Sequence, residues 1–120
     1  MTQYAVLIYS DENAESTEVE QKEVMDAYWA YTEMLTSSGA GNGGEALHPT
    51  STATTVRVRD GKTLTTDGPF IESKEALGGF YIINAGDLDR AIELAAQCPG
   101  ASHGAVEVRP VIDFSQVPQS

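Results

Sequence analysis

Thr54-Thr55-Val56-Arg57-Val58-Arg59-Asp60-Gly61-Lys62-Thr63-Leu64-Thr65-Thr66, residues 54 to 66, is the stretch on which the fold turns. Side-chain character alternates with period two on both sides of Asp60-Gly61, and β-branched residues dominate, which is the pattern of paired strands. Asp-Gly is a favoured two-residue hairpin tip because both positions tolerate positive φ. Counting outward from that tip, Thr54 faces Asp67. The same period puts Val56 and Val58 on one side of the hairpin and Thr55, Arg57 and Arg59 on the other.

Upstream, Tyr4-Ala5-Val6-Leu7-Ile8-Tyr9 is a continuous apolar run of strand length. It predicts a central strand covered on both faces. After the polar loop Asp11–Glu15, Thr17 and Glu20 have the spacing of a capping box and predict a helix start. Val24, Tyr28, Tyr31 and Leu35 recur at helical spacing, with Met25 and Trp29 widening the stripe, so the aromatic residues read as helix core. The glycines at 39, 41, 43 and 44 predict a flexible connection. Leu47-His48-Pro49 reads as a loop.

Downstream, residues 67–77 form a polar segment, and Gly79-Phe80-Tyr81-Ile82-Ile83-Asn84 predicts another strand. Gly86-Asp87 opens a second helix with Leu88, Ala91, Ile92, Ala95 and Ala96 on its apolar face. Pro99-Gly100 ends it, and residues 105–112 form the last strand. Pro110 lacks a backbone donor and points to an edge position or a strand end. One domain over residues 1–114 with a loose tail over 115–120 follows.

Strand, helix, hairpin, strand, helix, strand is the order of an α+β, ferredoxin-like sheet with both helices on one face. The other face must then be covered: Val56 and Val58 lie on one side with Thr55, Arg57 and Arg59 on the opposite one, and Glu107 and Arg109 likewise alternate against Val106 and Val108. A second copy stacked on it would shelter that surface, so a homodimer is expected. A monomer with one wet face remains the alternative.

Composition narrows the function. A chain of 120 residues with a 41% apolar fraction can bury roughly 65% of its unfolded surface, enough for a core without staples. Eighteen acidic against seven basic residues give a net charge of −11. That charge disfavours nucleic-acid phosphates and anionic membranes. The apolar start is too short to span a bilayer and lacks a leader pattern, so a soluble, cytoplasmic protein is expected. Cys98 is the single cysteine, which excludes an internal disulfide, and its setting suggests a buried apolar role.

Thr66-Asp67-Gly68-Pro69-Phe70, continuing through Glu72, Ser73, Lys74 and Glu75, is the densest polar segment. Asp67 could accept backbone N–H groups two residues on and so hold a rigid turn. It is also the carboxylate that the hairpin count brings to the same end of the sheet as His48. An imidazole takes and returns protons near neutral pH, and a carboxylate on its other nitrogen would set the tautomer. His48 and Asp67 are therefore the candidate catalytic pair, against the plainer reading of His48 as a packing or surface residue beside Pro49.

Ser73, Lys74 and Glu75 are candidates for lining the same mouth, Lys74 and Glu75 alternatively forming a solvated pair. Arg57 and Arg109 could grip an anionic ligand or pair with Glu72 or Glu107. His103 reads as loop. Two histidines and one cysteine without ligand spacing argue against zinc. No phosphate-binding loop or Gly-x-Ser-x-Gly elbow is present, so no cofactor is expected.

Arg57-Val58-Arg59-Asp60-Gly61, Thr66 to Phe70, Ser73-Lys74-Glu75, Leu77-Gly78-Gly79-Phe80, Asp87-Leu88-Asp89, Ala91 and Glu107-Val108-Arg109-Pro110 together resemble the YCII-related proteins of the DGPF type. The resemblance runs over residues 3 to 112. It implies a dimeric α+β barrel made of two ferredoxin-like subunits, in bacterial proteins that often have no assigned reaction. Relatives are frequently encoded beside, or fused to, extracytoplasmic-function sigma factors. More distant ones resemble small enzymes that use a histidine and an aspartate for acid–base chemistry. Two readings therefore stand together. One is cofactor-independent proton transfer, elimination or isomerisation on a small molecule. The other is a ligand-sensing or partner-binding domain linked to a sigma factor.

Overall fold

The structure is a computed structural model and describes residues 1–116; residues 117 to 120, the end of the expected tail, lie outside it. Strand β1 (Thr2–Ser10) occupies the middle of a four-stranded antiparallel sheet, in the order β2-β5-β1-β6. Its partners are β5 (Ala76–Ala85) and β6 (Ala105–Pro110), while β2 (Gly41–Ala46) borders β5. Helices α1 (Glu18–Ser37), α2 (Leu88–Ala96) and the single turn α3 (Gly100–His103) connect them. Setting the hairpin aside, this is the ferredoxin-like strand order, all neighbours antiparallel. The central placement of β1 and the edge placement of β6 agree with the sequence reading.

The core lies on the helix side of the sheet. Tyr4, Val6 and Ile8 from β1 meet Ile83 and Ala85 from β5, Tyr31 and Leu35 from α1, and Ala91, Leu94 and Ala95 from α2. The opposite side of β1, carrying Ala5, Leu7 and Tyr9, is only half-buried. One chain therefore covers one face of its central strand, not both, and closes no barrel.

Helix starts obey their capping chemistry. Thr17 Oγ1 accepts from the Glu20 N–H at 3.1 Å while the Glu20 side chain reaches back to Thr17, completing the expected box. Asp87 caps α2 by accepting from the Arg90 N–H at 2.9 Å. Helix faces are less well anticipated. Trp29 is 69% exposed, because at 100° per residue it stands well away from the buried Tyr31–Leu35 line. On α2 the buried line is Ala91, Leu94 and Ala95, continued by Cys98, which leaves Leu88 and Ile92 half exposed. His103, expected in a loop, closes α3.

Two expectations about the middle of the chain fail. The glycine-rich segment is not a flexible connection but the edge strand β2. Its register slips between Gly41↔Ile83 and Gly44↔Tyr81, a bulge that glycines accommodate. Gly44 has φ 151, and a Cβ there would collide with the Phe80 carbonyl oxygen, so a strand pattern based on side chains cannot reveal this element.

The second failure is the hairpin. Strands β3 (Thr54–Arg59) and β4 (Lys62–Asp67) pair only with each other, as a separate two-stranded sheet. Asp60 (φ 54) and Gly61 (φ 75) form the expected primed turn, and Thr54 pairs with Asp67 as counted. The hairpin thus forms as read but stands outside the main sheet.

The shape reflects this. The molecule measures 50 × 48 × 19 Å with a radius of gyration of 16.8 Å, against about 14 Å for a globular chain of this length. It exposes 8894 Å², about 2,600 Å² more than a folded monomer of its mass would show. Residues 114–116 form a short 3-10 turn.

Candidate functional site

Two backbone bonds frame the site at the base of the hairpin. The Gly68 N–H donates to the Ala53 carbonyl at 2.8 Å, and the Leu47 N–H donates to the Gly78 carbonyl at the same distance. Thr55 Oγ1 adds a bond to the Gly68 carbonyl at 2.9 Å. These contacts place His48, just past β2, and Asp67, the last residue of β4, on the segments that enter and leave the hairpin. Both are exposed, and no hydrogen bond or ion pair joins their side chains. Asp67 likewise makes no side-chain bond to its own turn, so the base is closed by Ala53 and Thr55 instead.

A carboxylate missed in the sequence reading does hold the His48 loop. Glu12 Oε1 accepts from the Thr50 N–H at 2.9 Å and Oε2 from the Thr50 hydroxyl at 2.6 Å. A Glu near the start of a polar loop 38 positions upstream carries no local signal of this contact.

The remaining candidates separate. Ser73, Lys74 and Glu75 are exposed in the segment between β4 and β5. Arg57 stacks its guanidinium 4.7 Å from the centre of the Phe70 ring, an arrangement that pins the segment after β4 onto one face of the hairpin. A hollow of about 690 Å³ opens beside these two residues.

Arg109 lies on the open face of the main sheet, paired across to Ala5. Its Nε donates to Glu107 Oε1 at 3.0 Å and its Nη2 to Oε2 at 3.3 Å. Of the two options read for Arg109, the carboxylate pair is the one formed within the chain.

A second concavity, of about 580 Å³, runs beneath α1. Val24, Met25 and Tyr28 form its roof, and the glycine-rich backbones of β2 and β5 form its floor. At its inner end Tyr28 approaches Cys98 and Gly100. Thr32 and Tyr81 share a 2.8 Å hydroxyl bond, and Tyr81 meets Tyr31 edge-on with ring centres 5.2 Å apart. Burial, then the neighbouring Cys98, raises the Tyr28 and Tyr31 phenols well above their ordinary value. Burial also pushes the Cys98 thiol up, against the backbone N–H of Gly100 and the Tyr28 hydroxyl. A protonated, 2% exposed thiol is a packing group, as its sequence context suggests.

Residues 2–115 match the YCII-related domain. The chain belongs to the YCII-related family. The YCII-related domain is also similar to an uncharacterized protein of Rhizobium meliloti (strain 1021), at 39% identity over 112 residues, covering 90% of each chain. Among the described residues of this YCII-related domain, no helix is long and apolar enough to cross a membrane.

Proposed function

We propose that the YCII-related domain works as a homodimer in which the open faces of two sheets enclose a small-molecule hollow, and that His48 and Asp67 perform cofactor-independent acid–base chemistry at its mouth. The supporting observation is the uncovered face of the main sheet. Leu7 pairs with Phe80 and Ala5 with Ile82, an apolar stripe flanked by the Arg109–Glu107 pair on β6 and by Glu45 on β2. An apolar stripe with a polar border is the anatomy of an interface.

In this reading His48 takes a proton from a small polar substrate and either returns it elsewhere on the same molecule, an isomerisation, or holds it while a leaving group departs with its bonding electrons, an elimination. Asp67 orients the imidazole once ligand or the second copy draws the two loops together. Arg57, Ser73, Lys74, Glu75 and Arg109 supply the polar lining. The absence of any side-chain bond between His48 and Asp67 favours a second reading, a ligand-sensing or partner-binding domain such as one serving a sigma factor.

Light scattering behind size exclusion tests the assembly, with a mass of twice the 12.8 kDa chain expected. A single-chain mass at working concentration would remove the enclosed hollow. A small-molecule screen then compares the wild type with His48→Ala and Asp67→Asn. Loss of turnover with retained binding supports the chemistry; ligand binding without turnover in any of the three chains supports the sensing reading.

A further inference from the structure

The hairpin β3–β4 is built to lie against something. An isolated two-stranded hairpin is marginal in water, yet every residue from Val56 to Asp67 is exposed. Its two faces differ. Thr55, Arg57, Leu64 and Thr66 share the face on which Phe70 rests. Val56 and Val58, opposite Thr65 and Thr63, form the other face, and each valine is 59% exposed. The bare face is thus aliphatic and hydroxyl-bearing, the composition of a strand surface that expects a cover.

A receptor of matching character exists on the same molecule. The groove under α1 is roofed by Val24, Met25 and Tyr28, and Met25 is 59% exposed. Charge matches as well. Between Asp11 and Ser37 the chain carries eight carboxylates against Lys22 alone, whereas Arg57, Arg59 and Lys62 place three of the seven basic residues on the hairpin. Opposite fields of this kind steer two copies together and fix their register.

The area is sufficient too. The excess exposure of about 2,600 Å² over a folded monomer of this mass is larger than the roughly 800 Å² per partner of a standard interface.

We infer that the hairpin is an exchanged arm: its Val56–Val58 face enters the groove under α1 of a second copy, while Arg57, Arg59 and Lys62 on its opposite face supply the long-range attraction to that helix's carboxylates. This inference rests on the dimer proposed above and adds a second, reciprocal contact to it. The arm also carries Asp67 at its base, so seating the arm fixes one member of the proposed catalytic pair relative to the other.

Two chains, each with one added cysteine, test the arm when mixed. One chain carries Val58→Cys, the other Met25→Cys, and the buried Cys98 stays in both. After mild copper–phenanthroline oxidation of the mixture, a covalent dimer is expected at several-fold the level seen with either variant alone or with wild type. A mixture that is dimeric by light scattering but gives no such adduct overturns the arm while leaving the face-to-face dimer intact. A mixture that stays monomeric overturns both. Thr63→Cys, opposite Val58 on the same face, replaces Val58→Cys if that variant loses its native circular dichroism.

Discussion

The main sheet and the hairpin have similar chain chemistry and opposite physical standing. Both are antiparallel and draw β-branched residues into their strands. The sheet buries Val6 and Ile83 to 0% exposure under two helices, while the hairpin leaves Val56 and Val58 at 59%. The difference teaches that pairing and covering are separate events. Hydrogen-bonded register makes a hairpin, but only apolar burial of a face makes it contribute to stability.

The largest break in that contrast comes from Leu94, which is 1% exposed at the centre of the core. Leu94→Ala should cost about 3 kcal/mol of unfolding free energy, from lost transfer energy and the cavity left behind. Chemical denaturation measures it, and a cost near zero would mean that α2 does not pack as described.

A smaller effect sharpens the core side. Tyr31 donates its hydroxyl to the Leu94 carbonyl at 2.9 Å. Tyr31→Phe should cost about 1 kcal/mol at neutral pH, the net worth of one buried hydrogen bond.

The pH dependence follows with its sign. Tyr28 and Tyr31 have folded pKa values raised above their ordinary 10.0, and Cys98 above its ordinary 9.0. Their contribution is therefore complete below those ordinary values and is lost as pH rises from about 9 upward. Melting temperature should fall on that alkaline limb, and less steeply in Tyr31→Phe than in wild type. An equal slope in both would show that Tyr31 is not part of this cluster.

The smallest expected effect lies in the hairpin. Val58→Ala should change the stability of the dilute chain by less than about 0.5 kcal/mol, as surface substitutions do. If the arm is exchanged, the same change lowers the melting temperature increasingly as protein concentration rises, because only the assembled form loses the contact. A cost in the dilute chain comparable to Leu94→Ala would place the hairpin inside its own core.

Much of the frame is legible in the residues. The apolar run of β1, the Thr17–Glu20 box, the Asp87 cap and the Asp60-Gly61 tip each signal through local chemistry, and each is where it reads. Pairing of Thr54 with Asp67 needs only counting from the tip. Strand β2 is illegible because its glycines carry no alternating side chains. Separation of the hairpin from the sheet is illegible because period two is identical in both settings. Which face of α2 turns inward depends on where β5 and β6 lie, so Leu88 and Ile92 read as core although they are half exposed. The candidate site suffers most: proximity of His48 to Asp67, and of Glu12 to Thr50, is decided by loops whose paths no periodicity encodes.

Two single backbone bonds, Leu47 to Gly78 and Gly68 to Ala53, pinch the chain where the hairpin departs. Everything beyond that pinch can be lengthened, shortened or rewritten without disturbing how the parent sheet assembles itself. Differences among natural variants in this appendage therefore carry information about what it grips, largely free of the demands of folding.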